Sequence, residues 1–370
     1  MRATPTVRLA VAGVGAATAV GLDAVSAAAA IRAGITRPSP IVDPEILDED
    51  TQEMIPVLGH PVAGLTDGFV LLGRWSRLAR VAFEDLLRAL SEEIDGTPGF
   101  WQRTAFLLAI PTLEHGIFLE DAAIAMEAIR KDLMGGLFED LRIGASSAQV
   151  EAIPFAQASG AMALLRAREL ISGGQYDRAL VLGIDSLIDP LLIENLMATR
   201  ALKVAGNPVG LAPGEAAVAL LVEERNHLIR RGGRAQGLVA GLSATAAPAR
   251  DREEYIASGR GLADDYVKAL DDVQIDVHRG ELYLDLNGED WRARQWGAAL
   301  VRIQGRYAGA ERIPAVNVGD TGAASGALSV LLAVRSFARG YPQSDAAMVL
   351  SSSASGHTGA ILILRPVPSS

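Results

Sequence analysis

The chain has 370 residues, a formal net charge of −10, a pI near 5.1 and no cysteine. The missing cysteine excludes disulfides, thiolate catalysis and Cys-ligated metals, and the acidic balance argues against a nucleic-acid surface, which needs clustered Lys and Arg. Hydrophobic residues make up 49% and charged residues 21%, enough to bury the core of two domains or of one duplicated domain.

In chain order, "VRLAVAGVGAATAVG" opens as a buried strand and a Gly-rich turn, followed by a helix from about Asp23 to Ala33. Its apolar run also has the look of a signal peptide, but the basic flank is thin and Asp23 interrupts it. "SRLARVAFEDLLRALSEEI" (76–94) has the periodicity of an amphipathic helix. "IPFAQASGAMALLRA" (153–167) reads as a strand turning into a helix that runs to the glycines at 173 and 174. Continuous apolar strands follow at 178–185, 216–224 and 360–366, as expected when both sheet faces are covered. No apolar run approaches the roughly 20 residues of a membrane span, and the chain reads as cytoplasmic.

An internal repeat is visible. "SGAMALLRARELISGGQYDRALVL" (159–182) and "SGALSVLLAVRSFARGYPQSDAAMVL" (325–350) share a Ser-Gly-Ala start, a helix, a polar turn, an Asp and a strand. The openings "RLAVAGVGAAT" (8–18) and "AQGLVAGLSAT" (235–245) also rhyme. Either Ala-rich helices coincide by chance, or two α/β halves divide near 1–230 and 231–370. Duplication would bring two helix N-termini, near 157 and 323, to matching positions. Their unpaired N–H groups would suit an acyl carbonyl or oxyanion.

Over nearly its whole length the chain resembles the β-ketoacyl synthase branch of the thiolase superfamily. "AQASGAMALLRARELISGGQYDRALVLGIDSL" resembles the nucleophile turn, its buried helix and the next strand. "GLAPGEAAVALLVEE" resembles the Gly-Glu-Gly-Ala strand, "VNVGDTGAASGALSVLLAV" the Asn-x-Gly-His motif, and "SSSASGHTGAILIL" the C-terminal Gly-Phe-Gly-Gly turn. The resemblance implies an α/β thiolase-like fold in a duplicated five-layer α-β-α-β-α architecture. It implies a dimer, homo- or heteromeric, joined near residues 150–160, with an active ketosynthase or an acyl carrier protein as partners.

The family works with a Cys nucleophile and two His that hydrogen-bond the thioester carbonyl. By position, the resemblance puts Gln157 in place of the Cys, Asn287 and Asp320 in place of the His pair, and Ala315 near the family's Lys. Ala354 and Ser355 replace the aromatic gate, and His357 enters where the family has a small residue. A glutamine amide does not attack a thioester, because its nitrogen lone pair is delocalised. Its carbonyl can occupy an oxyanion hole, and decarboxylating loading domains of the family carry Gln there, but they keep both His. An ionised Asp320 offers no donor and repels a malonyl carboxylate. Loss of condensation, with very weak or no decarboxylation, is the expectation.

Two functional readings follow. In the first the chain is a non-condensing partner, like the chain-length-factor subunits that retain the fold with Gln at the nucleophile. In the second, Gln157, Asn287, Asp320 and His357 form a rebuilt acid–base site for acyl thioesters, with His357 beside Asp320. Asp320 as a helix cap and His357 as a locally bonded turn residue are the plainer alternatives. Ser159 as a surviving nucleophile, two residues past the turn, has no evident base.

No cofactor is implied: "AGVGAATAVG" is not a dinucleotide fingerprint, and His60, His115, His227, His278 and His357 form no metal-ligand pair. "EILDEDTQE" and "DDVQID" read as solvated acidic loops. Arg230, Arg231 and Arg234 form a basic stretch exposed by pattern, either a charged helix end or a surface for an acidic carrier protein. Phe118, Met126 and Met134 lie where the family shapes its acyl tunnel, although core packing accounts for them as simply.

Overall fold

The computed structural model describes residues 9–47, 52–113, 122–204, 206–342 and 344–366. The first part of the chain runs β1 (Leu9–Thr18), α1 (Ala24–Arg32), β2 (Ser39–Leu47), β3 (Met54–Gly59), α2 (Leu72–Asp95), β4 (Thr104–Ala109), β5 (Val150–Ile153), α3 (Ser159–Ser172), β6 (Arg178–Ser186) and β7 (Glu215–Glu224). It continues as β8 (Gly237–Ala246), α4 (Arg260–Asp271), β9 (Glu281–Leu284), α5 (Asp290–Arg302), β10 (Ala310–Arg312), α6 (Ser325–Arg339), β11 (Ala346–Ser352) and β12 (His357–Leu364). The expected strands and helices fall on these elements. The 76–94 helix begins a turn earlier, at Leu72. The acidic stretch expected as a loop at 45–53 is in part strand, since Glu45 to Leu47 belong to β2, and residues 48–51 lie outside the described residues.

Ten strands form one mixed sheet in the order β10-β9-β11-β12-β8-β1-β7-β6-β4-β5. Counted within each half, the order is the same: third, second, fourth, fifth, first. The halves meet where Leu9, Ala10 and Val11 of β1 pair antiparallel with Val239, Leu238 and Gly237 of β8. β1 is thus covered on both sides by strands and wholly buried, which agrees with the strand reading of the opening segment.

Strand residues alternate between two buried faces, which explains their unbroken apolar sequence. Ala179 and Val181 of β6 face a central core shared with α1, α3 and α6. Leu180, Leu182 and Ile184 face α2 and the helical segment around 129–138. On the second half-sheet, Leu282, Leu284, Met348 and Leu350 face α4 and α5. The layers run helix, half-sheet, central helices, half-sheet, helix.

The central helices cross at the repeated Ser-Gly-Ala. A Cβ placed on Gly160 of α3 would lie 3.2 Å from the backbone of Gly326 and Ala327 at the start of α6. Glycine at this point lets two buried helix N-termini meet backbone to backbone.

Candidate functional site

The turn from β5 into α3 is held in a fixed shape. Ala156 has φ +50°, a left-handed conformation that costs a residue with a Cβ on the order of 1–3 kcal/mol. Ser159 holds the turn closed: its Oγ accepts from Phe155 N–H at 2.8 Å and donates to Ile110 C=O at 2.9 Å. Both bonding roles of this fully buried hydroxyl are spent on the turn. Gln157 lies between these two residues, 9% exposed.

Its partner comes from the other half. Asp320 precedes the short 3-10 turn Gly322–Ala324 that leads into α6, just as the turn Ala156–Ala158 leads into α3. The strand-entry loop of β7 fixes its backbone: Asp320 N–H donates to Ala212 C=O at 2.8 Å, and Gly214 N–H donates to Asp320 C=O at 2.9 Å. The 4% exposed carboxylate meets three donors. Oδ1 accepts from Gly322 N–H at 2.8 Å, an Asx turn two residues on; the cap position of the 3-10 turn is Thr321, so Asp320 is not the helix cap. Oδ2 accepts from Asn287 Nδ2 at 2.6 Å and Gln157 Nε2 at 3.3 Å. The three residues that the motifs pointed to are therefore one hydrogen-bonded group, and both amides turn their donors toward the carboxylate.

A wider polar network, not singled out in the sequence, surrounds this group. Asn287 Nδ2 also donates to Glu289 Oε2 at 2.9 Å, and Glu289 accepts from Arg292 Nε at 3.1 Å. Arg292 is 3% exposed, and its Nη1 donates to Asp285 Oδ2 at 3.0 Å and to Ser352 C=O at 2.7 Å. Asp285 Oδ2 further accepts from Ser352 N–H at 2.6 Å. On the opposite side, Asp185 Oδ2 accepts from Ala323 N–H at 2.9 Å and Oδ1 from Ser186 N–H at 2.8 Å.

Burial pushes the Asp185 carboxyl up to about 7; the two N–H groups act the other way and the Asp320 charge adds to the rise. Burial pushes Asp285 up to about 6 against the pull of Arg292. Two signals in the sequence could have found these groups. Asp185 ends a continuously apolar strand, and "DLNGEDWR" sets three carboxylates within seven residues of an arginine.

Of the remaining sequence candidates, His357 and Ala315 stay near this group and the others lie elsewhere. His357 opens β12; its Nδ1 lies 3.0 Å from Ser355 Oγ and its ring packs on Phe155 at 4.5 Å between centroids. Ala315 lines a cavity of about 10 Å³ beside Asp285 and Asp320, room for roughly one water. Ser325 Oγ borders the same cavity without a hydrogen-bond partner among the described residues. Met134 is fully buried and Met126 packs beside it in the outer core over the first half-sheet. Phe118 lies outside the described residues. The arginine stretch departs from its expected exposure. Arg231 turns inward, 9% exposed, to bond Glu223 and Glu93, leaving Arg230 and Arg234 at the surface. Among the described residues no group of three or more His, Asp or Glu is placed to hold a metal ion. No described helix is long and apolar enough to cross a membrane.

Comparison by sequence gives no matching family model and no matching curated protein. Comparison by structure is decisive for the fold. One neighbour is a chain from a type II polyketide acyl-carrier protein in complex with its ketosynthase bound to the hexaketide. It has a TM-score of 0.72 and 18% identity, covering 98% of this chain and 100% of that one. The fold is thiolase-like, of the ketosynthase type. A chain of the ishigamide ketosynthase/chain length factor superposes with a TM-score of 0.73 at 17% identity, covering 98% and 100%. The oxazolomycin ketosynthase domain of Streptomyces albus gives 0.72 at 14% identity, covering 98% of this chain and 75% of that one. Gln157 lies at the turn ahead of one central helix of this ketosynthase fold, and Asp320 lies ahead of the other.

Proposed function

We propose that the chain is a non-condensing ketosynthase-like subunit of polyketide- or fatty-acid-type metabolism. It works in the cytoplasm beside an active ketosynthase, as chain length factors do. Each half, 1–230 and 231–370, supplies one turn to the vestigial site. The observation that carries this reading is the hydrogen bond from the Gln157 amide to Asp320. Where condensation needs a nucleophile and two donors aimed at a thioester carbonyl, the amides of Gln157 and Asn287 are committed to a buried carboxylate. The neighbour that pairs a ketosynthase with a chain length factor supports the choice of partner. An acyl carrier protein is a transient second partner, met by Arg230 and Arg234 without Arg231.

The experiment is co-expression with a candidate ketosynthase, light scattering to fix the assembly, and a condensation assay on acyl- and malonyl-carrier protein. A heterodimer is expected, with condensation in the pair and none in the chain alone. Condensation by the isolated chain would overturn the proposal, and a stable homodimer that never captures a ketosynthase would remove the partner role.

A second reading rests on Asp185 and Asp285. Two buried carboxyls pushed toward neutrality beside Asp320 are the kind of groups that act as general acids and bases, in a hydrolase, transferase or decarboxylase of acyl thioesters. Hydrolysis and decarboxylation assays on acyl and malonyl thioesters test it. A rate that survives Asp320→Ala unchanged would remove Asp320 from such a mechanism.

A further inference from the structure

A second cavity, far larger than the one at Asp320, opens between α1, the C-terminal half of α6 and the segment 311–317. Its volume is about 360 Å³, within the range of small-molecule sites. Ile31, Ile313 and Leu332 make its walls apolar. At its rim stand Val25, Val316 and Tyr341, exposed by 46%, 69% and 50%. Apolar side chains left in water around a cleft are the signature of a surface that receives something.

The charges at this cavity do not balance. Behind the lining residues, Glu281 accepts from Arg32 Nη1 at 2.5 Å, Arg312 Nε at 2.9 Å, Ser336 Oγ at 2.9 Å and Tyr283 Oη at 3.0 Å. Arg32 also lies over the Tyr341 ring, 5.0 Å from its centroid. Glu311 accepts from Trp296 Nε1 at 3.2 Å. Against these two carboxylates stand four guanidiniums, because Arg335 and Arg339 also line the cleft. Neither has a hydrogen bond or ion pair among the described residues. They follow each other at i and i+4 on α6, on the face that carries Leu332 and Ser336. In a protein of net charge −10, two uncommitted arginines on one helix face beside an apolar cleft are a local exception. Guanidinium forks match carboxylates, and the apolar walls match a hydrocarbon body.

We propose that this cleft binds an aliphatic carboxylate, with the chain against Leu332 and Ile313 and the head group at Arg335 and Arg339. The site is separate from the Gln157–Asp320 group and does not depend on the partner role proposed above.

Decanoate is the probe, titrated into the full chain by calorimetry, with decanol as its uncharged counterpart followed by ligand NMR. Saturable one-to-one binding of decanoate is expected, at least tenfold tighter than decanol. Arg335→Ala with Arg339→Ala should bring decanoate down to the level of decanol. Val25→Trp, at an exposed rim position that leaves folding intact, should weaken both ligands at least tenfold by closing the mouth. Leu332→Trp should do so from the floor; if that variant melts early, Val25→Trp decides alone. The proposal is overturned by absence of saturable decanoate binding, by equal affinity in Val25→Trp, or by arginine variants that bind decanoate as the parent does.

Discussion

Gln157 and Asp320, 163 residues apart in the chain, are joined by a hydrogen bond of 3.3 Å from Nε2 to Oδ2. Each stands at the turn ahead of one of the two central helices, so the bond ties the two halves together beside the helix crossing at Gly160 and Gly326. Asp320 is the hub, because Asn287 and Gly322 converge on the same carboxylate.

Removing the hub should therefore cost more than removing a spoke. Asp320→Ala strands the buried amide donors of Asn287 and Gln157 and the Gly322 N–H, each worth roughly 1–3 kcal/mol, for a total of about 3 kcal/mol or more. Asp320→Asn keeps one acceptor oxygen and should cost about 1 kcal/mol. Urea titration at neutral pH with equal m-values compares them. Equal stability of the two variants would show that the convergence on Asp320 carries little energy.

The buried carboxyl of Asp185 makes stability depend on pH in a stated direction. In the folded chain it keeps its proton up to about pH 7, against an ordinary value of 3.8. The folded state thus binds the proton more tightly, and this stabilising contribution fades as pH rises through about 7. His60 and His278, whose burial pushes them below the ordinary histidine value, act oppositely, so the total curve is a poor readout. The difference between the parent and Asp185→Asn cancels them. Relative to the parent, the variant should gain roughly 2.5–3 kcal/mol between pH 5 and pH 8, most of it below pH 7. A difference that is flat across that range would contradict a raised Asp185.

The motifs made Gln157, Asn287 and Asp320 visible in the sequence, because each sits in a short stretch with fixed spacing to a glycine or a helix start. The Ser-Gly-Ala repeat pointed to two similar halves, but not to the order of their strands. Asp185, Asp285 and Arg292 were not singled out, although the strand end and the short stretch 285–292 carried a signal. Their backbone partners stand 138, 67 and 60 residues away, at Ala323 and twice at Ser352, and no local spacing encodes those contacts. Arg231 was misread for a similar reason: a basic stretch looks solvated until Glu223, buried on β7, draws one of its members inward. Periodicity reports which face of an element is apolar, whereas a buried ion pair can sit on either.

The helix crossing offers a test of sign. Gly→Ala inside a helix ordinarily stabilises by up to about 1 kcal/mol. At Gly297 of α5 nothing lies within 4 Å of the added methyl, so Gly297→Ala should raise stability by about that amount. At Gly160 the methyl would press on the backbone of Gly326 and Ala327 at 3.2 Å, and backbone does not yield as a side-chain tip does. Gly160→Ala should cost about 1–3 kcal/mol. Thermal melts of both variants should move in opposite directions, and a stabilised Gly160→Ala would mean that the central helices are not in close contact there.

The last prediction concerns the position of the missing nucleophile. The chain has no cysteine, so Gln157→Cys introduces the only thiol and can be followed without background. A family nucleophile owes its reactivity to neighbours that favour the thiolate. Here the nearest polar group of the opposite turn is the Asp320 carboxylate, and the position is 9% exposed. Burial and a facing anion both disfavour a thiolate. Alkylation by iodoacetamide should therefore be slow at neutral pH, with its rate rising only above pH 8.5, the ordinary thiol value of about 8.5 being the lower bound. In Gln157→Cys combined with Asp320→Asn the facing charge is gone, and the inflection should move down by about one pH unit or more. Rapid alkylation of the single variant at pH 7 would mean that the turn still activates a nucleophile. It would shift the balance from the partner reading toward a site that lost its thiol late and kept its chemistry.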